Sequence, residues 1–445
     1  MKQVLVLGAG RSSSSLIAEL LNRSGANGWE VHVGDVDLAL AKRKCGNHPA
    51  ARPFAIDPEQ VEDRNERIAG ADLVISMVPA FMHPEIAKVA IEAGVPVITP
   101  SYVSPEMQAL HERALEANVL VLNEIGLDPG IDHLSAKAVL DRVEQSGGKM
   151  LEFESYCGGL IAPESDDNPW HYKFSWNPRN VVLAGQGGAA TFLSGGSARL
   201  VPPHRVFQHA KRIEVDGMLF EGYPNRDSVA YESIYGLKGI QTLIRGTLRG
   251  DGFCAGWDAL VQLGCVRDDA KMEWAAGISW ADWLRTFLPA QSEGIDVRLA
   301  VAECTGASEA TLDRLAWLGL FDSDSGPKRT AGTPAQVLQD LLEAKWLLKS
   351  NDRDMIVMWH RFQYELQGEL HEITSSLRLE GRDSVYTGMS DTVVWPVAIA
   401  AEALLAGKFK QTGVQVPMHR DYYEVLLPEL ERLGVRFEET HRLCS

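Results

Sequence analysis

The sequence predicts an α/β protein: a doubly wound parallel sheet at the N-terminus, an α+β domain with a mainly antiparallel sheet, and a small helical domain. Apolar, β-rich runs alternate regularly with helical patterns through residue 122. Beyond Asn123 the chain becomes rich in Gly, Pro, Trp and Tyr, with alternating stretches at 149–156 and 217–222. Helical periodicity then takes over from 266 to 349. A chain of 445 residues is too long for one ordinary core, so several domains are expected.

The N-terminal strands are expected at 4–7, 31–33, 53–56, 73–76, 95–99 and 119–122, and helices at 13–24, 38–44, 59–68, 84–93 and 105–117. Strands separated by helices of this length form a parallel sheet, which binds ligands beyond the carboxyl ends of its strands. The first run ends in Gly8-Ala9-Gly10, and a helical pattern follows at once. This is the opening of a dinucleotide-binding Rossmann unit. Gly8 permits the sharp turn, Gly10 lets the backbone approach a pyrophosphate, and the helix N-terminus attracts that anion. Ala9, Arg11 and Ser12 complete the loop, while Ser13 stands where a third glycine is usual.

Asp35, after the second strand, is expected on the adenosine ribose hydroxyls, with Asp37 capping the next helix. A carboxylate there repels an added phosphate and favours NAD over NADP, with Arg11 as the counterweight. Asp57 after the third strand is either near the adenine or a turn residue before Pro58. Val78 and Pro79, after the fourth strand, line the nicotinamide side by position alone.

The expected domains are 1–125, completed by C-terminal helices in 391–445; an α+β domain over 126–265 and 350–390; and a helical subdomain over 266–349. Strands are expected at 354–364 and 369–379, and helices at 281–287, 309–318, 335–348, 393–405 and 422–433.

The net charge of −17 disfavours nucleic acid and anionic membranes, so any acidic ligand needs a local basic cluster. No apolar run approaches the ~20 residues that span a bilayer. The six cysteines, at 45, 157, 254, 265, 304 and 444, form no Cys-x-x-Cys pair, so no metal site is expected. With no signal peptide seen, a cytoplasmic location is expected.

Several segments occur in a recognisable order: Ser101-Tyr102, Glu124-Ile-Gly-Leu-Asp-Pro-Gly-Ile-Asp-His133, Ser155-Tyr-Cys-Gly-Gly-Leu160, Tyr223-Pro-Asn-Arg-Asp-Ser228 and Ile244-Arg-Gly-Thr-Leu-Arg249. With the N-terminal loop, and with Trp317-Leu-Gly-Leu-Phe321 and Trp395-Pro-Val-Ala-Ile-Ala400, they resemble the glutamate-forming saccharopine dehydrogenase family over nearly the whole chain. The resemblance implies NAD(P)-dependent oxidation of saccharopine on the lysine side of its secondary amine. Hydrolysis of the imine then gives L-glutamate and 2-aminoadipate 6-semialdehyde. It also implies a homodimer formed through the mixed α/β domain. Two departures concern the cofactor. Family members often carry Arg-Thr after the second strand, where this chain has Asp35-Val36-Asp37, and their phosphate loops differ from Arg11 and its serines.

Family substrate contacts match Ser101, Tyr102, Asp128, Arg226, Thr247 and Arg249. Saccharopine is a tricarboxylate, and guanidinium groups bind carboxylates bidentately. Arg226, Arg245 and Arg249 supply such a cluster, although each alone could sit in a surface ion pair. Hydride departure needs a neutral substrate nitrogen, so a base must take its proton. Asp128 is the leading candidate, with Tyr102 orienting substrate or relaying the proton. Cys157 matches a cysteine near the family's substrate, or is an inert buried thiol. Lys173 is a further candidate base or carboxylate partner. His133, close after Asp132, reads as a helix-start or packing residue.

Two other readings remain open at this level. One is a related dehydrogenase acting on carboxynorspermidine or lysine; the other is a non-catalytic NAD-binding protein.

Overall fold

The computed structural model describes residues 1–10, 13–57 and 60–444, so the expected loop residues Arg11 and Ser12 lie outside the described residues. The chain divides into two compact units. One comprises Met1–Gly148 and Leu377–Glu438, the other Lys149–Ser376 and the chain from Glu439 onward.

In the first unit, β1 (Lys2–Leu7), β2 (Trp29–Asp35), β3 (Ala51–Ala55), β4 (Leu73–Ser76), β5 (Val97–Ile98) and β6 (Leu120–Leu122) alternate with helices. These are α1 (Ser13–Asn27), α2 (Leu38–Cys45), α3 (Val61–Ala69), α4 (His83–Ala93), α5 (Pro105–Gln108), α6 (His111–Glu116) and α7 (Ile131–Gln145). Among the described residues the strands of this sheet pair in parallel. The order β3-β2-β1-β4-β5-β6 reverses direction between β1 and β4, which creates the crevice where such sheets bind ligands. Leu16, Ile17, Leu20 and Leu21 give α1 its buried stripe. Asp37 caps α2 by accepting from Leu40 N. The single helix expected at 105–117 is two helices, separated by a tightened bond from Leu110 N to Met107 O at 3.0 Å.

The boundary expected at 125/126 falls instead at 148/149, because α7 belongs to the first unit. The sequence hides this helix: Asp132, His133 and Ser135 lie on its buried side and blur the apolar period.

The second unit opens with β7 (Lys149–Ile161) and α8 (Pro178–Val182). There follow β8 (Ala190–Ser194), β9 (Ser197–Val201), β10 (Lys211–Val215), β11 (Met218–Pro224), α9 (Tyr231–Ile234) and β12 (Thr242–Gly250). The helical stretch holds α10 (Phe253–Leu263), α11 (Trp280–Arg285), α12 (Val297–Thr305), α13 (Glu309–Leu318) and α14 (Pro334–Trp346). A small ribbon of β13 (Met272–Glu273) and β14 (Ala331–Gly332) lies within it. Then come β15 (Asp354–Leu366) and β16 (Glu369–Glu380). The resulting sheet is mixed: β12 runs parallel to β7, while β11 and β15 run antiparallel to their neighbours. Trp170, Trp257 and Trp346 pack with Tyr172 and Phe253 into an aromatic core beside it.

The C-terminal segment adds α15 (Gly388–Leu405), β17 (Gly413–Gln415), α16 (Arg420–Arg432) and β18 (Phe437–Cys444). β17 extends the first sheet by pairing parallel with β6. By length and composition α15 would suit a bilayer, yet 72% of it is buried inside the fold. Asp391 near its start accepts from Ser15 Oγ of α1 at 2.5 Å.

Candidate active site

The phosphate loop is built around Gly8. Its φ of +101° and the 2.8 Å separation that a Cβ would have from Met77 O both require glycine. Gly10 faces open space, and Ser13 Oγ donates to Gly8 O at 3.0 Å, fixing the turn into α1. Gly8→Ala is expected to destabilise the chain by more than about 1 kcal/mol and to weaken dinucleotide binding, read by thermal denaturation and fluorescence titration.

Asp35 at the end of β2 is tied to this loop. Its Oδ2 accepts from Ala9 N at 2.6 Å and its Oδ1 from Asp37 N at 2.9 Å. Each oxygen retains a lone pair, so the anchored carboxylate keeps acceptor capacity beside the loop. The sequence reading missed Lys44, whose Nζ donates to Gly10 O. Burial lowers its pKa to about 8, and Asp35 partly opposes that shift. The run Lys42-Arg43-Lys44 in the last turn of α2 was the available signal. Asp57 is exposed, with its carbonyl accepting from Gln60 N at 2.9 Å. Val78 and Pro79 follow β4, half-buried and exposed respectively. A glycine without room for a side chain, an open loop at a helix N-terminus and an anchored carboxylate together fit a bound dinucleotide.

Beyond the carboxyl ends of β5 and β6, the structure brings Tyr102 and Asp128 together: the phenol donates to Asp128 Oδ1 at 3.1 Å. Glu124 braces both segments. Its N–H donates to Ser101 O at 3.0 Å, and its Oε1 accepts from Val103 N at 3.1 Å. Its Oε2 lies 2.9 Å from His133 Nε2, so His133 is a buried anchor near the start of α7, in keeping with the packing role expected for it.

In the second unit the pairing of β12 with β7 sets Arg245 opposite Ser155 and Thr247 opposite Cys157. Arg245, Thr247 and Arg249 alternate onto one face, since side chains on a strand repeat every second residue. Thr247 Oγ1 accepts from Asn225 Nδ2 at 2.5 Å. Arg245 is 7% exposed and stacks 4.1 Å from the Tyr231 ring centroid.

Arg249, 4% exposed, lies 5.2 Å from the Tyr172 ring and 5.3 Å from that of Phe253. Its Nη1 donates to Leu248 O at 3.1 Å, and its Nε has no hydrogen-bond partner. No carboxylate among the described residues forms an ion pair with it. Burial pulls its pKa down, but Tyr223, Tyr172, Cys254 and Cys157 outweigh that, and the net shift is upward. A buried cation surrounded by aromatic rings, thiols and one backbone carbonyl, with no paired carboxylate among the described residues, is suited to receive an anionic ligand.

Two expectations change. Arg226 is exposed, in a loop where its φ is +65°, so the expected cluster holds two buried guanidinium groups rather than three. Lys173 is buried with its Nζ 2.7 Å from Asp352 Oδ2 and 2.9 Å from Asp167 Oδ1. Clamped by two carboxylates, it is a structural tie rather than a base. Cys157 is buried beside Thr247.

Comparison with known proteins agrees with this geometry. Residues 4–122 match the saccharopine dehydrogenase NADP binding domain, and residues 126–435 match the saccharopine dehydrogenase C-terminal domain. The chain is 36% identical to the saccharopine dehydrogenase [NADP(+), L-glutamate-forming] of Saccharomyces cerevisiae, over 98% of this chain and 99% of that one. It is 32% identical to the mitochondrial alpha-aminoadipic semialdehyde synthase of Bos taurus, over 98% of this chain and 47% of that one. The solved apo structure of the Saccharomyces cerevisiae enzyme superposes with a TM-score of 0.89 at 34% identity, over 99% of this chain and 100% of that one. Both halves of the sequence and the fold as a whole agree, and the chain belongs to the saccharopine dehydrogenase family.

Proposed function

We propose that this chain is an L-glutamate-forming saccharopine dehydrogenase that converts saccharopine, NADP+ and water into L-glutamate, 2-aminoadipate 6-semialdehyde, NADPH and a proton. The observation that carries the reading is Arg249, a buried guanidinium with an unpartnered Nε and, among the described residues, no carboxylate of its own. Arg249 and Arg245 hold substrate carboxylates, with Thr247 and Ser101 adding neutral contacts. Asp128 removes the proton from the substrate's secondary ammonium, which frees the nitrogen lone pair to form the imine as hydride leaves. Tyr102 keeps the Asp128 carboxylate oriented, and the pair then serves the proton transfers of water addition and carbinolamine collapse. When bound against the Gly8–Gly10 loop, the dinucleotide supplies the hydride acceptor.

On the cofactor, Asp35 argued for NAD, whereas the Saccharomyces cerevisiae relative and the matching N-terminal family carry NADP in their names and weigh the other way. Lys44 supplies the physical reason: it puts a cation beside Asp35 and the phosphate loop, where an added ribose phosphate needs a counter-charge. Lys44→Ala is expected to raise the KM for NADP+ about tenfold while that for NAD+ moves little. With a lysine pKa of about 8, wild-type affinity for NADP+ falls as pH rises past that value.

Purified protein is assayed with saccharopine and each cofactor by nicotinamide absorbance, with lysine and carboxynorspermidine as controls. Turnover of saccharopine alone, faster with NADP+, is expected. Turnover of a control substrate instead, or none at all, would overturn the proposed activity, and a preference for NAD+ would return the cofactor choice to Asp35. The homodimer implied by the family forms part of this proposal and is read by sedimentation velocity.

A further inference from the structure

His83, the first residue of α4, is 4% exposed and bridges two hydroxyls. Its Nδ1 lies 2.8 Å from Ser76 Oγ at the end of β4, and its Nε2 lies 2.8 Å from Ser101 Oγ. A weaker contact of 3.4 Å joins Nε2 to Thr99 Oγ1. Burial lowers the imidazole pKa to about 4, so the ring is neutral at working pH. A neutral imidazole has one donor nitrogen and one acceptor nitrogen, and the surroundings decide which is which.

Ser76 decides it. Its hydroxyl is fully buried, and among the described residues its side chain bonds only His83. If Nδ1 carried the proton, the Ser76 O–H would point at no acceptor, and a buried donor without an acceptor is costly. Ser76 therefore donates to Nδ1, and Nε2–H donates to Ser101 Oγ. That bond uses one of the two lone pairs on Ser101 Oγ and keeps the hydroxyl proton off the ring, free to donate elsewhere.

We propose that His83 is a positioning residue that sets the Ser101 hydroxyl as a hydrogen-bond donor to a substrate carboxylate. The inference goes beyond the reading of Ser101 as a substrate contact, and for the identity of the ligand it rests on the activity proposed above. A hydroxyl kept free to donate is matched to a substrate carboxylate at that point.

Two measurements test it. In the wild-type protein with 15N-labelled histidine, His83 resonances are identified by their loss in His83→Gln. They are expected to show a protonated Nε2 and an unprotonated Nδ1; the opposite tautomer overturns the proposal whatever the substrate.

In steady-state kinetics, His83→Leu is expected to raise the KM for saccharopine about tenfold, with the KM for NADP+ and kcat nearly unchanged. His83→Gln, which restores a donor near the Nε2 position, is expected to recover most of that loss. In a Ser101→Ala background His83→Leu should cost almost nothing more, because the two residues act as one unit. Additive losses, or equal effects on saccharopine and NADP+, would mean a merely structural histidine and overturn the proposal. A wild-type enzyme inactive on saccharopine would instead remove the proposed activity, leaving the tautomer to decide the donor arrangement.

Discussion

Arg249→Met is expected to reduce kcat/KM for saccharopine at least about a hundredfold while leaving the melting temperature unchanged or higher. The two effects share a cause. Burying an ion costs several kcal/mol, and the cation–π contacts to Tyr172 and Phe253 return only about 0.5–2 kcal/mol each. Tyr223, Tyr172 and Cys254, whose own pKa values burial raises, are uncharged at neutral pH, so the attraction that lifts the Arg249 pKa is absent there and the remaining cost is carried by the folded protein until an anionic ligand arrives. Methionine fills similar space without the charge, so folding does not suffer and binding does. The loss should fall mainly on KM, since the carboxylate is bound alike in ground and transition states. Arg249→Lys should be intermediate, keeping the charge but losing the planar fork. A sharply lowered melting temperature with saccharopine KM intact would make Arg249 a structural cation and remove the main support for the proposed activity.

Asp128→Asn is expected to lower kcat by about 10²–10⁴-fold, the range for loss of a positioned acid–base group. Asparagine can still accept from Tyr102, so the local geometry should survive. The acidic limb of the pH–rate profile should then disappear, because the group that must be deprotonated is gone. Tyr102→Phe provides the sign test. It removes a hydrogen bond to the charged carboxylate, so the pKa of Asp128 should rise and the acidic limb move to higher pH. If Asp128→Asn keeps that limb in place, the base lies elsewhere.

The parallel sheet was legible because β4, β5, β6 and most of β1 are buried apolar runs, separated by helices with clean stripes such as Leu16, Ile17, Leu20 and Leu21. Elements whose partners are polar or distant were not. α7 hides behind Asp132, His133 and Ser135. The three-residue β17 exists because β6 offers it an edge, and β18 is exposed along nearly its whole length, with no alternation to read. In the site, Gly8 and Asp35 announced themselves by position after a strand. Lys44 and His83 did not, since each acts on a residue far away in sequence.

By itself the sequence determined the dinucleotide fold, the family and the residue types able to grip an acidic substrate, because these depend on local pattern and on motifs in order. Only the tertiary structure decided which of these charges are buried and which are already paired. Arg226 and Lys173 look as promising as Arg249 in one dimension, yet one is exposed and the other is clamped between Asp352 and Asp167. Burial and the presence or absence of a partner set what a charge can do, and both arise from contacts that chain order does not record.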